Sequence, residues 1–100
     1  MTHVSPLAEA DIRDILDYIA QHNPKAARKV RKSFRKAIDT LVANPYIGHA
    51  REDLTKYPVR FWPVYSYQIV YRVENNMVHV VRVLSGYRDI AFILGASFHA

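Results

Sequence analysis

The chain has 100 residues, half of them hydrophobic and 23% charged, which fits one folded globular domain with a modest core and argues against disorder. It contains no cysteine, so disulfides and thiolate metal sites are excluded. The formal charge of +5 favours an acidic partner, whether nucleic acid, nucleoprotein or an acidic protein segment.

That charge is unevenly spread. Glu9, Asp11, Asp14 and Asp17 against Arg13 give residues 1–23 a net −3. Lys25, Arg28, Lys29, Arg31, Lys32, Arg35 and Lys36 against Asp39 give residues 24–44 a net +6, and the remainder adds +2. The opening residues have no basic region followed by an apolar stretch, and the apolar runs are too short to span a bilayer. A cytoplasmic protein without membrane contact is the expectation.

Residues 2–4 form a candidate short first strand. Ser5 and Pro6 start a helix, because a serine hydroxyl can accept from an orphan amide and proline fits the first helical position. Ala8, Ile12, Ile15, Leu16 and Ile19 then make one apolar stripe at helical spacing, with Asp11, Asp14 and Asp17 off it. Asn23 and Pro24 close this helix and open a second by the same logic. The short connection makes the two antiparallel neighbours.

The second helix covers residues 24–42, with Ala27, Val30, Phe34, Ile38 and Leu41 on its buried side and the cations on another. Acidic first helix beside basic second helix offers favourable ion pairs, each worth about 0–1 kcal/mol if exposed. Asn44 and Pro45 break the helix, and residues 45–58 form a loop.

Three strands follow, over residues 59–64, 67–73 and 77–84. Pro63 restricts the first to an edge or bulged position. Tyr67, Ile69, Tyr71 and Val73 alternate onto one face of the second. Glu74-Asn75-Asn76 makes a tight hairpin turn of two or three residues, and that single residue decides which face carries Arg82. Gly86 ends the third strand, and residues 89–94 pack as a short helix or extended tail. The predicted class is therefore α+β, an N-terminal helical hairpin packed on a three- to four-stranded antiparallel sheet.

Several pieces in this order resemble the RelE/ParE toxin superfamily, and within it the ParE-like branch. They are Ala10-Asp11-Ile12 with Tyr18-Ile19-Ala20, then Asn23-Pro24-Lys25-Ala26-Ala27, and Asn44-Pro45. Gly48 with Arg51-Glu52-Asp53-Leu54, Tyr71-Arg72-Val73, and Arg82-Val83-Leu84-Ser85-Gly86-Tyr87-Arg88-Asp89 complete the set.

The resemblance implies the toxin of a type II toxin–antitoxin pair, with growth arrest and plasmid stabilisation as outcomes. It implies a hetero-oligomer with a cognate antitoxin whose C-terminal segment wraps the toxin. ParE-like members poison DNA gyrase, whereas RelE-like members cleave mRNA in the ribosome. The chain departs from the family where Ser85 replaces a common histidine, and where Gln68 stands near the nuclease branch's sheet arginine.

Two functional readings are carried forward with a third, a non-toxic binding module. On the gyrase reading the chain is not an enzyme, and Arg60, Trp62, Arg82, Arg88, Phe92 and Ile93 contact the target. Tyr18, Arg28, Arg31 and Arg35 contact the antitoxin. An endoribonuclease would need a base, phosphate-stabilising cations and an acid, for which Arg72, Arg82, Tyr87 and Arg88 are the candidates. His3, His22, His49, His79 and His99 show no recognised metal spacing, so neither metal nor other cofactor is expected.

Overall fold

The computed structural model describes residues 2–86 and 90–99. The elements are β1 (Thr2–Val4), α1 (Pro6–His22), α2 (Pro24–Ala43), β2 (Arg60–Val64), β3 (Tyr67–Glu74), β4 (Met77–Ser85) and α3 (Ile90–His99).

Local chemistry sets the helix ends. The Ser5 hydroxyl accepts from the Ala8 amide at 3.0 Å, and Pro6 occupies the first turn. Asn23 serves two helices at once. Its amide donates to the Ile19 carbonyl, ending α1, while its side chain accepts from the Ala26 amide at 3.0 Å, starting α2. One residue between the helices forces the chain to double back, so α1 lies on α2.

The sheet order is β1-β4-β3-β2. β2, β3 and β4 are antiparallel neighbours as predicted, but β1 pairs in parallel with β4, so the sheet is mixed. The reason is connectivity. β1 feeds directly into the helical hairpin, and the chain reaches β1's neighbour only after β2 and β3, giving the long crossover that parallel pairing requires.

The β3–β4 turn uses two residues, Asn75 and Asn76, at φ 53° and 62°, as the primed hairpin turns demand. The turn alone does not set Arg82. Tyr71 pairs with Val80 but Val70 pairs with Arg82, so Val81 is a bulge residue, and it moves Arg82 opposite Val70 rather than Ile69.

Both sheet faces are covered. On one side Ala8, Phe34, Ala37 and Leu41 of the hairpin meet Ile69, Tyr71, Val78, Val80 and Val83, with Tyr67 and Val73 packed beside them as the alternation predicted. On the other, Phe61, Val70 and Leu84 meet Ile90 and Leu94 of α3. β3 therefore buries successive residues, Gln68 among them.

Tyr71 joins the core to the loop after α2. Its hydroxyl donates to the Pro45 carbonyl and accepts from the Gly48 amide, both at 2.8 Å. A Cβ on Gly48 would lie 2.4 Å from that oxygen, so only glycine fits there. Burial pushes the Tyr71 phenol above its ordinary pKa, keeping it protonated as a donor. Replacing Tyr71 with Phe should cost about 1–3 kcal/mol, since it leaves a buried amide and a carbonyl unpaired. Gly48→Ala should cost at least as much. Denaturant unfolding of both variants checks this.

Candidate interaction site

β4 is paired on one edge by β3 along its length, but β1 covers only Val78 to Val80 on the other edge. The edge beyond Val80 is closed by α1 and its cap. Ser5 donates its amide to the Val80 carbonyl at 3.0 Å and its hydroxyl to the Val81 carbonyl at 2.8 Å. Asp11, one and a half turns into α1, accepts from the Val83 amide at 2.9 Å. The same carboxylate takes both Nε and Nη2 of Arg82 at 2.8 Å. This bidentate pair is largely shielded, with side-chain exposures of 19% and 15%. The Asp11 hydrogen bonds raise the Arg82 pKa further, against the opposing effect of burial, so Arg82 is a permanent cation locked in place.

Arg60, expected at the target surface, is engaged with its own loop. Its Nη1 donates to the Gly48 carbonyl at 2.8 Å and the Tyr46 carbonyl at 3.2 Å, and the guanidinium sits 5.2 Å from the Tyr46 ring centre. Arg72 is ion-paired with Glu74, whose carboxyl it holds below the usual range. Trp62 is half-buried against the hairpin-side core, so Tyr65, at 59% exposure, is the more open aromatic. Phe92 on α3 is 79% exposed, while Ile93 packs partly into the far-side core. Tyr87 and Arg88 lie outside the described residues.

Tyr18 is 60% exposed, its ring edge-on to His22. Arg28, Arg31 and Arg35 are all exposed on α2. Arg31 lines a shallow groove with Glu9, Ile12, Arg13, Leu16 and Asp17 of α1, which places cation, acid and apolar surface side by side. Residues predicted for the antitoxin thus share the hairpin, whereas those predicted for the target are divided among β2, β4 and α3.

The expected ion pairs between α1 and α2 are not made. Among the described residues the pairs are Arg51–Asp53, Arg72–Glu74 and Arg82–Asp11, so no α2 cation has a carboxylate partner. The pairing of Asp11 with Arg82 is what the sequence reading missed. In the sequence Asp11 stood out as a carboxylate beside the apolar stripe and within Ala10-Asp11-Ile12, but its partner lies 71 residues away. Among the described residues no group of three or more metal-ligating side chains is present, and no helix is long and apolar enough to cross a membrane.

Asp11→Ala and Arg82→Ala should each cost about 1.5–3 kcal/mol, because each strands a partly buried charge. Their double mutant should lose less than the sum. A denaturant-based double-mutant cycle measures that coupling.

Residues 3–90 match the family model described as the ParE toxin of the type II toxin-antitoxin system parDE. Toxin RelE2 of Caulobacter vibrioides is 34% identical over 76 residues, spanning 76% of this chain and 83% of that protein. In fold, the chain is similar to a structure from the chromosomal ParDE toxin–antitoxin system of P. aeruginosa. The TM-score is 0.72 at 21% identity, over 85% of this chain and 94% of that one. A chain of the YoeB-YefM complex from Staphylococcus aureus matches at TM-score 0.59 and 17% identity, over 87% and 97%. One from the RelBE2 complex of Mycobacterium tuberculosis matches at 0.55 and 18%, over 85% and 95%. The match over nearly the whole described sheet and hairpin, with a curated relative at that identity, carries the conclusion: the chain belongs to the ParE toxin family of type II toxin–antitoxin systems.

Proposed function

We propose that this chain is a cytoplasmic, single-domain toxin that arrests growth by attaching to DNA gyrase, and that a cognate antitoxin neutralises it. The observation that carries this reading is the engagement of Arg82 by Asp11. A nuclease would need that cation free to meet a phosphate, and Arg72 is likewise ion-paired with Glu74. What stays open on that side of the fold is a binding surface, including the exposed Phe92 of α3. Ile93 belongs to the same helix, while Arg60 and Trp62 of β2 are turned to the loop after α2 and the hairpin-side core, so the proposed target contact centres on α3.

The antitoxin is proposed to lay an acidic, amphipathic segment along the hairpin, over Tyr18, Arg28, Arg31 and Arg35. The groove beside Arg31 offers apolar Ile12 and Leu16 for its buried side. The solved relatives named ParDE, YoeB-YefM and RelBE2 are toxin–antitoxin systems or complexes, which supports a hetero-oligomer.

The competing reading is a ribosome-dependent endoribonuclease, motivated by the 34% identity to Toxin RelE2. Controlled expression separates the two. The gyrase reading expects lost supercoiling activity and DNA damage signalling while transcripts stay intact. Early codon-spaced cuts in ribosome-bound transcripts, with supercoiling normal, would sink it. For the antitoxin surface, replacing Arg28, Arg31 and Arg35 together with Gln should weaken antitoxin binding by roughly tenfold or more. Calorimetry on the purified pair reads that loss.

A further inference from the structure

The seven cations of α2 are sorted by type as well as by face. At roughly 100° per residue, Arg28, Arg31 and Arg35 fall on the flank next to α1, where Arg31 lines the interhelical groove. Lys25, Lys29, Lys32 and Lys36 follow the spacing i, i+4, i+7, i+11 and form a second, straight ridge turned away from α1. All four lysines are exposed, and among the described residues none has an ion-pair partner. The one acid of α2, Asp39, makes no such pair either.

We propose that this lysine ridge grips the phosphate backbone of duplex DNA, separately from the arginine flank. The inference holds whichever macromolecule the toxin disables. Four like charges in one row cost a few tenths of a kcal/mol per neighbouring pair, and Asp39, the one acid of α2, forms no ion pair with them. Eleven residues of helix span about 16 Å, and a duplex carries one charge per about 1.7 Å of its axis, so phosphates of the two strands lie within reach of all four lysines. Lysine is a hydrated point charge that can follow a backbone without reading bases.

Other anionic occupants fit less well. A helix lying on an anionic membrane needs an apolar side to bury, and the apolar side of α2 (Ala27, Phe34, Ala37 and Leu41) is consumed by the core. Single-stranded nucleic acid calls for a row of stacking aromatics. The exposed aromatic tied to this flank is Tyr65, held in a left-handed turn (φ 55°) with its hydroxyl hydrogen-bonded to Ser33 of α2 at 3.0 Å. It borders the ridge and does not form a row.

The test uses the full chain and a fluorescent duplex of about 20 base pairs, with affinity read by anisotropy from about 50 to about 200 mM salt. Binding should be independent of sequence, with a log–log salt slope near −3.5, as expected for about four phosphate contacts. The variant Lys25→Gln, Lys29→Gln, Lys32→Gln, Lys36→Gln should lose roughly tenfold or more in affinity, and its slope should flatten by about 3. Its melting temperature should hold or rise, because the positions are exposed and the repulsion is gone. The Arg28→Gln, Arg31→Gln, Arg35→Gln variant should keep most of the DNA affinity. Equal affinity of the lysine variant and the parent chain overturns the proposal. So does an equal loss in the arginine variant, or binding of poly-glutamate or anionic vesicles as tight as that of the duplex. A negative gyrase assay leaves this result untouched, so the two readings fail independently.

Discussion

The fold turns on how one strand edge is closed. β4 carries the centre of the molecule, paired to β3 on one side and to β1 on the other, yet β1 is only three residues long. Beyond Val80 the edge would present bare amides and carbonyls, which cost free energy if buried and invite foreign strands if exposed. The start of α1 solves both problems. Ser5 takes care of the Val80 and Val81 carbonyls, and Asp11 takes the Val83 amide together with the guanidinium of Arg82. The hairpin is thereby fixed to the sheet by directional bonds as well as by the apolar contacts of Ala8, Phe34 and Leu41. The bulge at Val81 belongs to the same arrangement, since it sets Arg82 opposite Val70, one place off the regular register, next to the edge where Asp11 waits.

This closure has a consequence for function. A toxin that poisons by attachment needs a rigid surface, whereas a hydrolytic centre needs cations free to meet charge that develops in the transition state. Here two arginines of the sheet have internal duties. Arg82 holds α1, and Arg60 holds the loop at Tyr46 and Gly48 while Tyr71 pins the same loop from within. Among the described residues, the seven cations of α2 have no ion-pair partner, and they lie on the opposite side of the sheet from α3 and its exposed Phe92. The proposed antitoxin surface and the proposed target surface therefore occupy different faces, so blocking one by occupying the other requires the antitoxin to wrap the molecule rather than plug a cleft.

Much of the fold was legible because it rests on short-range chemistry. Ser5-Pro6 and Asn23-Pro24 are caps whose partners lie three residues away, and the alternation of Tyr67, Ile69, Tyr71 and Val73 follows from the pleat alone. Asn75-Asn76 announced its turn through the tolerance of asparagine for positive φ. The parallel placement of β1 was not legible, since three residues carry almost no pattern and the pairing joins Thr2 to Val78. The Val81 bulge was equally hidden, because valine suits either face of a sheet covered on both sides. Residue type marked Arg60 and Arg82 as candidates, but whether a guanidinium meets solvent or a carbonyl depends on contacts 12 and 71 residues away.

The charge pattern shows why composition is informative about partners and weak about roles. A net +6 in one helix invites the expectation that the neighbouring acidic helix will neutralise it, yet α1 spends Asp11 on the sheet and none of its acids pairs with α2. An exposed pair would contribute about 0–1 kcal/mol, so leaving α2 unpaired sacrifices little stability. It preserves a field that acts over about 8–10 Å at physiological ionic strength, long enough to draw in an acidic partner before contact. The cations that matter for attraction are thus those the fold does not use, and the arginines beside the α1 groove and the lysines beyond them divide that field between a surface suited to forked carboxylate contacts and one suited to a line of phosphates.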